Sequence, residues 1–223
     1  MTFAAAYEDP PRVWGIGRVV VGDEIVPWPV SEADIDDETE VATTHLQALG
    51  LAADELVLIV SLLSQTIHVA PFERAAGRVG ALYSSADASR FDAFRTASLV
   101  RQLGASVVLG VDAAVLDGLD DLDRDPAEVF APVRAVVAAE ADAYGRLGAA
   151  GLHPGRWLRL GPCSAIARPG DDTLAYDASR WQVEDDGDQL FVTNLAQRLT
   201  PSEHFATGVG GRVVEPGRLE LAD

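Results

Sequence analysis

The spacing of apolar residues predicts alternating strands and helices over the first two thirds of the chain. Residues 56–60 form a continuous apolar run, as expected of a strand covered on both faces. Residues 87–103 instead carry apolar side chains near helical spacing, and Gly104 marks the end of that helix. Further strands are predicted around Gly15 and Gly17 and at 81–84, 106–109 and 133–137, and further helices at 31–50, 70–77 and 140–147. This alternation predicts a parallel sheet with crossover helices.

The residues after Gly155 show a different pattern. Short apolar stretches are separated by Gly, Pro and Asp, which favour turns. The predicted strands are at 157–160, 164–167, 181–183, 189–193 and 212–214. We therefore expect an α/β fold in which a parallel-sheet α/β subdomain over residues 1–155 is followed by a small antiparallel β subdomain over residues 156–223. The two are expected to pack together as one compact unit.

The strongly acidic composition argues against two classes of partner, nucleic acids and membranes. Asp and Glu number 35 against 17 basic residues, which gives a formal net charge of −18. This charge repels phosphate backbones and anionic lipid surfaces, so we expect neither nucleic acid nor a membrane as partner. No apolar run is long enough to span a bilayer, and residues 1–11 lack the basic and apolar regions of a signal peptide, which predicts a soluble cytoplasmic protein.

The basic residues are unusual because all 17 are arginine and the sequence contains no lysine. Arginine is not deprotonated in proteins and forms no Schiff base. Mechanisms that use a lysine nucleophile, a phosphate-loop lysine or an adenylation lysine are therefore excluded within this chain. The single cysteine, Cys163, excludes an internal disulfide and argues against a thiolate metal cluster. We predict no metal site.

Several segments, in their order along the chain, resemble those of a known enzyme superfamily. They are GLAADELVLIVSLLSQTIHVAPFERAAGRVGA (50–81), LVRQLGASVVLGVDAAVLDGL (99–119), VRAVVAAEA (133–141), DGDQLFVTNL (186–195) and PSEHFATG (201–208). Together they resemble adenylate-forming ligases, and most of all phenylacetate-CoA ligases and coenzyme F390 synthetase-like proteins. The resemblance covers roughly residues 45–215. It implies the fold of the N-terminal part of those enzymes.

The resemblance also implies where such enzymes hold ATP, and this sequence departs from them at each position. The phosphate-binding loop would fall at residues 12–20, which contain no Ser, Thr or Lys. The glutamate that holds magnesium corresponds to Ser164, whose hydroxyl cannot replace a carboxylate for a hard cation. The ribose-binding aspartate corresponds to Val209. The chain also stops near the point where the mobile domain that supplies the adenylation lysine would begin. Adenylation activity is therefore predicted to be absent, and no cofactor is expected.

The substrate pocket of such enzymes lies beside the segment that corresponds to residues 61–72. The resemblance therefore implies a set of ligand-binding residues, which are Ser64, Gln65, Thr66, His68, Gly161, Ser164 and Thr207. Two interpretations of His68 are open. It either orients a ligand or acts as a base near neutral pH, or it is a hydrogen-bonded core residue.

Three residues are candidates for catalysis if new chemistry has replaced the old. Cys163 is a candidate nucleophile with His68 or His204 as its base, although a lone cysteine is more often a buried apolar residue. Glu140 is a candidate acid or base. His45, on the first predicted helix, is expected at the surface.

The sequence is compatible with three hypotheses about function. The first is a truncated, degenerate relative that binds a small carboxylate or aromatic ligand, or that supports a partner enzyme in a biosynthetic pathway. The second is a repurposed enzyme that acts on an acyl or aryl substrate without ATP, which requires His68, Cys163 and Glu140 to converge in one cavity. The third is one half of a split ligase. The resemblance also implies a homodimer, because relatives of the phenylacetate type pair.

Overall fold

The computed structural model describes residues 12–22 and 24–222 of the chain. The strands are β1 (Val13–Val21), β2 (Glu24–Ser31), β3 (Leu56–Ser61), β4 (Leu82–Asp87), β5 (Val107–Val111), β6 (Ala135–Ala138), β7 (Gly155–Leu160), β8 (Cys163–Ala167), β9 (Leu174–Ala175), β10 (Trp181–Asp185), β11 (Leu190–Asn194), β12 (Phe205–Ala206), β13 (Gly211–Glu215) and β14 (Arg218–Leu221). The helices are α1 (Glu32–Ala48), α2 (Thr66–Val79), α3 (Ala93–Leu103), α4 (Ala113–Asp121), α5 (Pro126–Phe130) and α6 (Ala141–Ala149). This order confirms the predicted α/β class with its strand-rich last third.

Nine strands form one continuous sheet in the order β13-β14-β9-β8-β7-β6-β5-β3-β4. Pairing is parallel from β4 through β3, β5 and β6 to β7, and antiparallel from β7 through β8, β9 and β14 to β13. Strand β7 is therefore parallel to one neighbour and antiparallel to the other. The predicted parallel sheet and antiparallel unit share this strand, and the predicted division into subdomains at residue 155 stays a prediction.

The continuous apolar run of β3 arises because the strand contributes to two cores. Leu58 packs with α3, α4 and α6 on one face of the sheet, whereas Val57 and Ile59 pack with α1 and α2 on the other. All three side chains are fully buried. A strand covered on both faces has no solvent-facing position, which explains the absence of polar alternation.

Strand β2 was not predicted from the sequence. It pairs antiparallel with β1 to form a separate two-stranded sheet. Pro27 and Pro29 interrupt its strand pattern, but proline is tolerated in a strand with an open edge, as β2 has. The predicted helix at 87–103 is also shorter in the structure, because β4 extends to Asp87 and α3 begins at Ala93.

A buried ion pair joins the segment between β11 and β12 to α1. Arg198 is 8% exposed, and its guanidinium donates to Glu38 Oε1 at 2.7 Å and to the Asp34 carbonyl oxygen at 3.1 Å. The Trp181 indole N–H donates to the same Glu38 oxygen at 3.0 Å. Burial raises the pKa of Glu38, and the interactions with Arg198 and Trp181 oppose that rise. Since a buried carboxylate is stable only with such partners, α1 and β10 are held together through Glu38.

Replacing Arg198 with Ala should lower the free energy of unfolding by about 3–5 kcal/mol, because the substitution leaves Glu38 buried without its cation. Arg212→Ala is the matched control, since it breaks the exposed pair with Glu220 (2.5 Å), and it should cost no more than about 1 kcal/mol. Urea unfolding followed by circular dichroism measures both. Equal losses in the two variants would show that the buried pair does not hold α1 in place.

Candidate functional site

The carboxyl ends of the parallel strands form the edge at which open α/β sheets bind ligands. Strand β7 extends past this edge. Its Arg156 pairs with Ala138, the last residue of β6, so Arg159 lies three residues beyond the end of that strand. The chain then turns at Gly161 (φ 58°) and returns as β8, with Ser164 opposite Arg159. The β7–β8 hairpin therefore stands above the edge, beside the residues that follow β5 and β6.

His68 lies in the first turn of α2 against this hairpin. It is 4% exposed, and its Nδ1 is 3.4 Å from the Ser164 hydroxyl oxygen. The Trp157 indole N–H donates to the same oxygen at 3.3 Å, which leaves the Ser164 hydroxyl proton to donate to His68. The geometry therefore agrees with the interpretation of His68 as a hydrogen-bonded core residue.

The surroundings of His68 disfavour its charged form. Burial lowers the pKa of His68 to about 3, the charge of Arg159 adds to this effect, and the Gly161 backbone opposes it. The cavity beside the ring, walled by Glu38 and His45 among others, has a volume of about 10 Å³. That is the space of about one water molecule. This cavity cannot hold an acyl or aryl group.

The predicted surface position of His45 is wrong. The residue is 8% exposed, and burial lowers its pKa to about 4 against an opposing effect of Asp177. Helix α1 packs along α2, and His45 lies on the packed face. The sequence did not indicate that His45 is buried, because the many acidic residues of α1 make the apolar stripe of the helix hard to recognise.

Ser64, Gln65 and Thr66 are not brought to the His68 cavity. The Gln65 side chain accepts a hydrogen bond from the Leu62 N–H at 3.0 Å, and the Thr66 hydroxyl donates to the Leu63 carbonyl at 2.5 Å, so both stabilise the start of α2. Thr66 lines a separate groove of about 450 Å³ between α2 and β4. Of the predicted ligand-binding set, the structure gathers the three residues His68, Gly161 and Ser164.

Cys163 faces the side of the sheet opposite to Ser164. It is fully buried in an apolar core with Leu160 and Leu190, and burial raises the pKa of its thiol well above the usual value. His204 is exposed and stacks on Phe191, with ring centroids 4.2 Å apart. Among the described residues, the candidate catalytic residues His68, Cys163 and Glu140 therefore lie in three separate environments.

A cavity of about 390 Å³ opens beside Glu140. Its walls come from the β6–α6 connection, from β7, and from the segments that flank β13 and β14, and they include Ala138, Glu140, Arg156, Leu158, Val209 and Leu221. The Arg156 guanidinium lies 3.8 Å from the centre of the Tyr144 ring. The volume falls within the range of small-molecule sites. Val209 gives this cavity an apolar wall at the predicted ribose position.

The turn that contains Val209 is fixed by its own hydrogen bonds. The Thr207 hydroxyl donates to the Leu190 carbonyl at 2.7 Å and accepts from the Val209 N–H at 3.2 Å. Gly208 has a φ of 70°, and a Cβ there would lie 3.0 Å from the Gly22 nitrogen. Thr207 is therefore occupied with the turn, which packs against the tip of the β1–β2 hairpin.

The predicted position of the phosphate loop forms a strand instead of a loop. Residues 13–20 belong to β1, whose backbone pairs with β2. A phosphate-binding loop offers a run of free backbone N–H groups at the start of a helix, and β1 offers none in that arrangement. The glycine at position 17 has a packing role, because a Cβ there would collide with Ile67.

Electrostatic interactions link Arg159 to charged residues of three other elements. Arg18 lies on β1, Asp112 follows β5, Glu140 follows β6 and Arg159 lies on β7. Burial lowers the pKa of Arg159; Glu140 and Asp112 oppose this change, whereas Arg18 adds to it. Asp112 is committed to α4, whose Val115 N–H donates to its carboxylate at 3.0 Å.

Sequence reasoning did not single out Arg18, Arg159 or Asp112. A signal was present, because Arg18 interrupts an apolar strand, Arg159 lies between Leu158 and Leu160, and Asp112 directly follows a buried strand. A strand sequence does not reveal which positions extend past the end of a neighbour, and that register is what places Arg159 beyond the end of β6.

The described part of the chain contains no group of three or more His, Cys, Asp or Glu side chains arranged to hold a metal ion. None of the helices in residues 12–22 and 24–222 combines the length and apolar character that crossing a membrane requires.

Comparison with known proteins finds matches among solved structures only. No protein-family model and no curated protein matches the sequence. A solved structure of 2-hydroxyisobutyryl-CoA ligase in the postadenylation state matches with a TM-score of 0.71 and 11% identity, covering 94% of this chain and 50% of that one. A malonyl-CoA ligase complex with methylmalonyl-CoA and AMP matches with a TM-score of 0.62 and 14% identity, covering 96% and 53%. ATP-bound MatB from Rhodopseudomonas palustris gives a TM-score of 0.62 and 13% identity, covering 96% and 48%.

These matches confirm the predicted fold, which is that of the N-terminal part of adenylate-forming ligases. The chain spans about half the length of these structures. The narrower resemblance to phenylacetate-CoA ligases stays a prediction.

His68→Asn should make stability less dependent on pH. The pKa of an unfolded histidine is about 6.5 and that of folded His68 is about 3, so between these values only the unfolded state binds the proton. Stability then falls as pH decreases, by about 1.4 kcal/mol per pH unit. From about pH 6.5 to about pH 5 the wild type should lose roughly 2 kcal/mol more than the variant.

Urea unfolding at the two pH values measures this difference. His45→Asn provides a second variant, because burial lowers the pKa of His45 in the same direction, and it should show a similar but smaller change. Parallel pH profiles for the wild type and His68→Asn would contradict the buried, neutral state of His68.

Proposed function

We propose that this chain, which has the fold of the N-terminal part of adenylate-forming ligases, binds a small carboxylate or aromatic acid without activating it with ATP. The observation that carries the proposal is that Ser164 and Val209 occupy the two positions where such enzymes need carboxylates. Both are neutral side chains, and both have other partners or neighbours in this fold.

The position of the metal-binding glutamate does not fit magnesium. Ser164 is buried, and its hydroxyl is engaged by Trp157 and His68. Magnesium requires hard oxygen ligands and is usually held through one or two carboxylates together with phosphate oxygens. A single hydroxyl that is already hydrogen-bonded offers no such ligand.

The position of the ribose-binding aspartate does not fit a nucleotide either. Val209 places its apolar side chain at the wall of the cavity, and its backbone N–H is donated to Thr207. Ribose hydroxyls buried against it would lose their hydrogen bonds to water without replacement, which costs about 1–3 kcal/mol for each unsatisfied group. We therefore derive no reaction step through ATP.

The cavity beside Glu140 supports binding of a small molecule. At about 390 Å³ it is large enough for a monocyclic acid. Its walls are mostly apolar, with Arg156 and Glu140 as charged groups. A protein of this kind would present a small acid to a partner enzyme of a biosynthetic pathway. The predicted cytoplasmic location and the homodimer stay predictions.

The alternative of a repurposed enzyme has weaker support. It requires His68, Cys163 and Glu140 to act on one substrate, whereas they occupy separate environments and the Cys163 thiol is buried in an apolar core. The split-ligase alternative requires this chain to contribute the ribose and magnesium carboxylates. Its residues at those positions are Val209 and Ser164.

The purified chain should show no binding of Mg–ATP by isothermal titration calorimetry at about millimolar concentration, because triphosphate, ribose and metal each lack a partner. It should also release no pyrophosphate when benzoate and Mg–ATP are supplied. Micromolar affinity for Mg–ATP, or steady pyrophosphate release, would refute the proposal.

Val209→Asp restores the missing ribose carboxylate and serves as the control. It should still fail to bind Mg–ATP, because Ser164 and the strand at residues 13–20 remain as they are. Recovery of ATP binding by this one substitution would show that the chain lost a single contact and not the whole nucleotide site.

A further inference from the structure

We propose that the cavity beside Glu140 binds a small, largely apolar acid that carries a hydroxyl or amino substituent. Arg156 binds the carboxylate of this acid, and Glu140 accepts a hydrogen bond from the substituent. The inference rests on the proposed function and adds to it the class of ligand and the two groups that recognise it. Both side chains belong to the walls of the same cavity of about 390 Å³.

The backbone of Arg156 is held by a neighbouring strand on each side. It pairs with Ala138 of β6 and with Ala167 of β8, so the side chain starts from a rigid position in the sheet. Glu140 comes two residues after Ala138, at the N-terminal end of α6. The two charged residues therefore lie on adjacent segments at the carboxyl edge, and the cavity opens between the elements that carry them.

Tyr144 holds the guanidinium of Arg156 in place without neutralising its charge. The guanidinium carbon lies over the Tyr144 ring, 3.8 Å from the ring centre. Tyr144 belongs to α6 and packs against the apolar core that includes Leu147 of the same helix. A guanidinium that rests on an aromatic face keeps its in-plane N–H donors for an acceptor. The contact therefore orients the cation and leaves these donors to a ligand.

Neither charge in the cavity wall has an ion-pair partner among the described residues. Within residues 12–22 and 24–222, no opposite charge lies within 4.0 Å of Arg156 or of Glu140. Arg146 of α6 provides a contrast, because it pairs with Asp117 at 2.7 Å and with Asp120 at 2.8 Å. These acidic residues of α4 are therefore engaged by Arg146, and the two charges of the cavity are available to a ligand.

A ligand with one carboxylate and one hydrogen-bond donor matches this pair of charges. A guanidinium binds a carboxylate through two parallel N–H···O bonds, and a carboxylate side chain accepts from a hydroxyl or an amine. Glu140 occupies the N-cap position of α6, but its side chain makes no capping hydrogen bond, so the carboxylate is not committed to the helix. The two groups therefore recognise different ends of one polar ligand.

The remaining walls favour an apolar body for this ligand. Leu158 lies two residues after Arg156 on β7, and therefore on the same face of the sheet. Val209 and Leu221 line the cavity from the C-terminal segments. An inorganic phosphate dianion would make no apolar contact with these walls and would meet Glu140 in a chain of net charge −18. The cavity therefore suits an apolar acid better than a phosphate.

Calorimetric titration with substituted benzoates tests the inference. Benzoate should bind saturably, its neutral analogue benzamide should bind at least about tenfold more weakly, and inorganic phosphate should also bind more weakly. Of 3-hydroxybenzoate and 4-hydroxybenzoate, the isomer whose hydroxyl reaches Glu140 should bind about 3- to 10-fold more tightly than benzoate. This is the gain expected of one additional hydrogen bond.

Variants assign the two contacts separately. Arg156→Met should weaken binding of benzoate and of both hydroxybenzoates by about 10- to 100-fold, the loss expected for a hydrogen bond between charged groups. Glu140→Ala should abolish the preference for a hydroxybenzoate over benzoate. Arg101→Met on α3 and Glu128→Ala on α5 make the same changes of charge at exposed positions outside the cavity wall, and they should leave every affinity unchanged.

A second variant and a stability measurement separate a ligand site from a structural role. Arg156→Lys keeps the charge but not the planar pair of donors, so its affinity for benzoate should lie between those of the wild type and Arg156→Met. Without ligand, Arg156→Met should unfold at nearly the same urea concentration as the wild type, because it loses one aromatic contact and no ion pair.

Four results would each overturn the inference and leave the proposed function standing. They are equal benzoate affinity in Arg156→Met and the wild type, no preference for either hydroxybenzoate, tighter binding of phosphate than of benzoate, and strong destabilisation of Arg156→Met. Binding of Mg–ATP, or absence of binding by all three acids, would instead overturn the proposed function.

Discussion

The register of β7 is the constraint on which the site depends. Because Arg156 pairs with the last residue of β6, the rest of β7 extends beyond the parallel strands, and antiparallel pairing with β8 stabilises that extension. The extension raises Arg159 and the turn at Gly161 above the edge where α/β folds bind ligands. A strand that ended level with β6 would leave this edge without Arg159. The change from parallel to antiparallel pairing is therefore what creates the site.

The residues at this edge differ from those that the resemblance to adenylate-forming ligases implies. The positions expected to hold magnesium and ribose are filled by Ser164 and Val209, and each is integrated into local packing or hydrogen bonding. Meanwhile Arg159 has no ion-pair partner within 4.0 Å among the described residues, although Glu140 and Asp112 act on it from a greater distance. Under the function proposed above, these residues accompany a change of ligand from a nucleotide to a small acid.

The sequence predicted the fold better than the site. Continuous apolar runs such as 56–60 identified the parallel strands, because burial on both faces leaves a direct pattern. Strand β2 was not predicted because its two prolines are unusual in a strand. The sequence left two interpretations of His68 open, and its burial and its contact with Ser164 agree with a hydrogen-bonded core residue. Arg159 could not have been found from its strand alone, since strand register and distant packing by β1 determine its surroundings.

The most direct test of the account follows the indole N–H signal of Trp157 by NMR, assigned with Trp157→Phe, during separate titrations with benzoate and Mg–ATP, because Trp157 lines the cavity beside Glu140 and contacts Ser164. The account predicts that benzoate shifts this signal saturably and that Mg–ATP leaves it unchanged. Saturable shifts with Mg–ATP, together with none from benzoate, would contradict it and would restore a nucleotide to this edge of the sheet.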